Sequence, residues 1–163
     1  MKKMKKETTV VLSLIVLAVA SRLLPHPPNF APITGIALFG AAHFKQKWFA
    51  FLLPLFCLFI TDLVLGLSWI NLFVYGAFAL ITRMGMKRKS LHFPSVLAGS
   101  LLFFIVSNLG VWLLHYPLTV EGLATCFTLA IPFFGNTLAG DLFYTVVLFY
   151  TFSTVKKTYL KTA

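Results

Sequence analysis

Ser21 to Pro32 reads SRLLPHPPNFAP and interrupts an otherwise oily chain. Four prolines stand here with an arginine, a histidine and an asparagine, between two apolar runs. Proline lacks an amide hydrogen, fixes φ and pushes the preceding residue out of the α region, so no helix runs through Pro25, Pro27 and Pro28. With the flanking runs in a bilayer, irregular backbone survives only where it packs on protein or lines a wet cavity. The segment therefore reads as the lip of a pocket at one membrane face.

The rest of the chain supplies the bilayer-embedded part. Of 163 residues, 59% are hydrophobic and only 11% charged, with 18 phenylalanines, far from the balance of a soluble domain. The expectation is an all-α, polytopic membrane protein forming a single integral domain over residues 1–163. At roughly 20 residues per span, the length allows about five to seven helices and leaves no room for a soluble catalytic domain.

The net charge of +10 would suit nucleic acid only if the basic residues made a face interleaved with exposed aromatics. They stand in blocks instead: Lys2, Lys3, Lys5 and Lys6; Lys45 and Lys47; Arg83, Lys87, Arg88 and Lys89; Lys156, Lys157 and Lys161. Short loops dense in Lys and Arg stay in the cytoplasm. No nucleic-acid partner is expected, and Arg22 is the one basic residue outside the blocks. Cys57 and Cys126 lie in apolar runs without metal-type spacing and read as small core residues.

Six crossings put both termini and every basic block on the cytoplasmic side, which an odd number does not. The first runs from about Thr8 to Leu24; the same KKMKK, apolar run and Ala18-Val19-Ala20 also fit a cleaved signal peptide, with the same topology. Ile33 to His43 follows. At roughly 18 Å it is too short for about 30 Å of hydrocarbon, so it leans on neighbours or starts below the surface. Trp48 to Leu65 carries Pro54 as a kink, and Trp69 to Ile81 is again short. Pro94 to His115 is long and clean. Leu123 to Phe134 reads as a separate half-span or interfacial piece ended by Gly135, before a sixth span from Asn136 to Thr154.

Depth then orders the polar residues. Arg22, Asp62, Asn108 and Asp141 all fall in the outer leaflet, while Val10–Val16, Phe49–Phe59, Val96–Val106 and Val146–Phe152 are nearly free of ionisable groups. One-sided placement predicts a cavity open outside and closed below. Asn108, Trp112 and His115 share a helix face, as do Thr137, Asp141, Tyr144 and Thr145, and Asn71 with Tyr75. A mix of amide, carboxylate and aromatic groups suits one organic ligand. The candidate ligand-binding residues are Arg22, His26, Asn29, Asp62, Tyr75, Asn108, Trp112, Asn136, Asp141 and Tyr144.

Each has a plainer alternative. Arg22 with Asp62 or Asp141 also reads as an ion pair that fixes helix packing, the asparagines as interhelical glue, and Trp112 as an interfacial residue. His26 and His115 are too isolated to indicate a metal. Two membrane aspartates invite comparison with aspartyl hydrolases, but LAGD has Leu138 where their GxGD motif has its first glycine. No catalytic residues, metal or cofactor are assigned, and no P-loop exists for hydrolysing ATP.

Four strings, LPHPPNFAPITGIALFGAAHF, PLFCLFITDLVLG, FFIVSNLGVWLLHY and IPFFGNTLAGDLFY, resemble an uncharacterised family of small bacterial membrane proteins described as transport proteins. That family is itself similar to the S components, the substrate-binding subunits, of energy-coupling factor vitamin transporters. The resemblance covers the chain after Ser21. It implies an S-component-like bundle of six transmembrane helices in the bacterial cytoplasmic membrane, capturing a small organic, vitamin-like solute from outside. It further implies partnership with a transmembrane coupling protein and ATPase subunits. S components commonly dock through small residues four apart in the first helix. Ala18, Ala20 and Ser21 lack that spacing, whereas Ala37 and Ala41 have it in the second. The alternatives are a structural or assembly protein without ligand and, third, an aspartyl hydrolase.

Overall fold

The computed structural model describes residues 2–87 and 90–160, with side chains from Lys6 to Thr158 within them. Arg88, Lys89 and Lys161 of the basic blocks lie outside the described residues. Among those described, the chain forms helices and no strands: α1 (Lys2–Ala20), a 3-10 turn (Ser21–Leu23), α2 (Ile33–His43), α3 (Lys47–Leu65), α4 (Ile70–Gly85), α5 (Phe93–His115) and α6 (Val120–Val155), closed by a π turn (Lys156–Leu160). The helices end where the sequence removes donors or adds turns. Helix α1 stops before Pro25, α3 stops at Gly66 in a left-handed conformation (φ 110°), and α5 carries a proline in its first turn.

The shortest helix is the centre of the molecule. Every residue from Ile33 to Ala41 is buried, as expected for a helix that is hydrophobic all round. Helices α4 and α6 carry most of the packing on α2, with α1, α3 and α5 completing the ring. Ala37 and Ala41 are used inside this core; Ala41 lies so near α4 that a Cβ on Gly85 would meet its own Cβ at 3.1 Å. The surrounding helices turn the opposite way. Helices α3, α5 and α6 are long and apolar enough to cross a membrane, with only 28%, 22% and 28% of their most apolar windows buried. An outer surface carrying Phe56, Val64, Leu97 and Tyr150 is one that a bilayer accommodates and water does not.

The two ends of the bundle differ. Lys156 pairs with Glu7 at 3.3 Å, so the start of α1 and the end of α6 meet beside the α2–α3 turn at Lys45 and Lys47; this is the basic end. The proline segment closes the other.

One boundary differs from the sequence reading. Leu123 to Phe134 is not a separate half-span or interfacial piece but the first part of α6, which runs unbroken from Val120 to Val155 through Pro132. Proline deletes one helical hydrogen bond, and contacts on both sides of it hold the helix to α5: the Phe104 ring lies 5.7 Å from Phe127 and 5.1 Å from Phe134. Gly135 sits in helical geometry without left-handed φ. Thr119 starts the helix by accepting the Gly122 amide on its side-chain oxygen at 3.1 Å.

Candidate functional site

The proline segment makes its own turn before it meets the helices. The Phe30 amide donates to the Pro27 carbonyl at 3.0 Å, and Asn29 between them has φ 63°. Proline at the second position and a left-handed residue at the third is the pattern of a type II turn, and asparagine tolerates that conformation. Asn29 thus shapes the segment while its side chain is exposed. His26 is also exposed and donates from Nδ1 to the Leu24 carbonyl at 2.6 Å.

Where the segment leaves α1, a compact polar group forms. Arg22 Nη2 lies 2.7 Å from Asp62 Oδ1, and Nη1 donates to Thr61 Oγ1 at 2.7 Å. The second carboxylate oxygen of Asp62 accepts the Tyr75 hydroxyl at 2.6 Å. The Asp62 side chain is 4% exposed and that of Arg22 14%. Buried charges persist when paired and further hydrogen-bonded, and here three elements share one network: the 3-10 turn, α3 and α4.

A second line of bonds ties the segment to α6. Ser21 Oγ donates to the Tyr144 hydroxyl at 2.8 Å, and Asn136 Nδ2 donates to the Pro28 carbonyl at 3.0 Å. The Phe30 ring rests 5.9 Å from Tyr144 and 6.0 Å from Phe143. Gly140 makes the approach possible: a Cβ there would stand 3.1 Å from the backbone of Phe30 and Ala31.

Asp141 has partners of its own. It directly follows Gly140, which abuts the backbone of Phe30 and Ala31, so it stays near the end that the proline segment closes although α6 itself begins at Val120. It lies beside Ser100 of α5, whose Oγ donates to Oδ2 at 2.7 Å, while Oδ1 accepts the Thr34 amide at 3.0 Å. Thr34 is in the first turn of α2, and Pro32 at the N-cap has no side-chain acceptor to offer. The carboxylate therefore serves one of the orphan amides of a buried helix start, where the helix dipole also favours negative charge.

The ten candidate residues thus divide. Arg22, Asp62 and Tyr75 form one group; Asn136 and Tyr144 hold the proline segment; Asp141 caps α2. Asn108 turns its Nδ2 to the Phe104 carbonyl on its own helix at 2.7 Å, and Trp112 Nε1 donates to the Pro117 carbonyl at 3.0 Å. The two aspartates share no hydrogen-bond partner. Sequence reasoning missed Ser21, Thr61, Thr34 and Ser100. Thr61 and Ser100 are single hydroxyls in apolar runs, visible only once their partners are known. Concavities at the basic end include one of about 750 Å³ lined by Glu7, His43 and Lys47.

Over residues 2–162 the chain matches the family of unknown function DUF6580, and it belongs to that family. No curated protein and no solved structure matches it.

Proposed function

We propose that this member of the family is a non-enzymatic, membrane-embedded subunit that captures a small organic solute from the outer side. In this reading the chain crosses the bacterial cytoplasmic membrane six times, with α2 and its proline segment together making one crossing. The basic end and both termini face the cytoplasm, as the Lys and Arg blocks favour. The resemblance to S components supports the same layout and a coupling protein with ATPase subunits as partner.

One observation carries the reading: a charged group, Arg22 with Asp62 and Tyr75, sits nearly buried where the proline-rich segment leaves α1. Intramembrane ionisable residues are costly and mark solute paths by default. Polar bonds at Ser21 and Asn136 tie the turn and the segment to α6. An anionic group on the solute would replace Asp62 at the Arg22 guanidinium, and Tyr75 would offer its hydroxyl and ring.

The test is mass spectrometry of small molecules released from gently purified protein, with Arg22→Ala, which removes the cation that would hold the solute's anionic group, prepared alongside. A stoichiometric compound in the first and none in the folded variant supports capture. A second reading, a structural or assembly protein, has its own support, because both oxygens of each buried carboxylate already have protein partners. It predicts an empty protein from every growth medium and a variant that is only less stable.

A further inference from the structure

Among the described residues, Asp141 is the buried carboxylate without a counter-charge. Asp62 has Arg22 at 2.7 Å and Glu7 has Lys156 at 3.3 Å, while Glu121 is exposed. Asp141 is 1% exposed, yet its side-chain partners are the Thr34 amide and the Ser100 hydroxyl, both neutral. A carboxylate so deeply buried normally pairs with a cation or coordinates a metal ion.

The oxygens around it have bonding capacity to spare. Thr34 Oγ1 is fully buried and has no hydrogen-bond partner among the described residues; it stands near the Asp141 carboxylate without hydrogen-bond geometry to it. It also lies 3.5 Å from the place of a Cβ on Gly99, so it faces α5 next to Ser100. A buried hydroxyl left in this way is costly and calls for an explanation. Ser100 has one proton and two acceptors in reach, Asp141 Oδ2 at 2.7 Å and the Val96 carbonyl at 3.1 Å. With that proton on Val96, the lone pairs of Ser100 Oγ are free for a cation beside the carboxylate. Helices α2, α5 and α6 thus bring two hydroxyls and one carboxylate together.

We propose that Asp141, Thr34 and Ser100 form a binding site for one sodium ion. A set made only of oxygens takes hard cations, and the described residues hold no group of three or more His, Cys, Asp or Glu side chains for another metal. One carboxylate balances one positive charge, whereas a divalent ion would leave a buried excess. A proton would neutralise Asp141 but engage one acceptor; the ion draws on both hydroxyls. The site shares no hydrogen-bond partner with the Arg22 group and does not depend on solute capture.

The experiment uses the full chain in neutral detergent, with sodium chloride or choline chloride at equal ionic strength, read by thermal unfolding and by retention of radioactive sodium. Sodium should raise the unfolding temperature saturably where choline does not, with about one ion retained per chain. Asp141→Asn should lose both effects. Thr34→Val exchanges the unpartnered hydroxyl for a methyl: stability in choline chloride should hold or rise, while sodium affinity falls about tenfold, the loss of one contact to a charge. Glu121→Gln, at the exposed carboxylate, should keep both effects. Equal unfolding temperatures in the two salts, or a sodium response that survives Asp141→Asn or Thr34→Val unchanged, overturns the proposal. Stability that follows pH but not sodium also overturns it, because the carboxylate then takes a proton.

Discussion

Asp141 accepts the backbone amide of Thr34 on Oδ1 at 3.0 Å, although 107 positions separate them. The carboxylate of α6 thereby does the work that an N-cap side chain of α2 would ordinarily do. The proline that ends the irregular segment cannot supply it. Helix α2 can start in the middle of the bundle because another helix completes its first turn.

This relationship sets the first prediction. Replacing Asp141 with Ala leaves the Thr34 amide buried without its acceptor and the Ser100 hydroxyl with only the Val96 carbonyl at 3.1 Å, and should cost about 3 kcal/mol. Asp141→Asn keeps an acceptor for Thr34 and faces Ser100 with an amide that its hydroxyl can accept from, so it should cost about 1 kcal/mol. Thermal unfolding in detergent measures both. Equal losses would show that the carboxylate's charge, not its acceptor geometry, is what α2 needs.

The Arg22 and Asp62 pair makes the second. Removing either partner strands the other in a nearly buried position, whereas removing both strands neither. Because Arg22 retains some exposure, the coupling between Arg22→Ala and Asp62→Ala in a double-mutant cycle should be about 2 kcal/mol rather than the larger values of fully buried pairs. Additive single losses would mean that the two charges are held by other contacts.

Two glycines give the third. A Cβ on Gly99 would stand 2.5 Å from Thr34 Cγ2, and the β-branched Thr34 has little rotamer freedom within a helix. Gly99→Ala should therefore destabilise by about 1–3 kcal/mol. Thr34→Ser, which deletes that methyl alone, should restore most of the loss. Nothing lies within 4 Å of a Cβ on Gly135, so Gly135→Ala should leave stability unchanged or raise it by about 0.5 kcal/mol through helix propensity. A Gly99→Ala protein as stable as the parent would show that α2 shifts freely between its neighbours.

Periodicity, proline chemistry and charge blocks made much of the fold legible. Three prolines within four residues, Pro25, Pro27 and Pro28, keep α1 from continuing, and Ile33–His43 emerged as a helix too short to stand alone. The break expected at Pro132 and Gly135 did not occur. Whether a proline ends a helix or is carried through depends on what grips the chain on either side, here Phe104 of α5. Asp62 and Asp141 take separate partners, Arg22 and Tyr75 for the one and Thr34 and Ser100 for the other, so the expected polar cluster divides in two.

What the sequence alone determined were quantities local along the chain: which segments are apolar, where amides are missing, which residues bear charge and how they are spaced. Which helix lies at the centre, and which partner each buried polar group meets, only the tertiary structure decided. Hydropathy does not distinguish α2, buried on every side, from α3, apolar and outward-facing. The partners of Thr34, Arg22 and Ser21 lie 107, 40 and 123 positions away. Such bonds depend on the relative rotation and depth of packed helices, which close contacts at Gly85, Gly99 and Gly140 set in three dimensions.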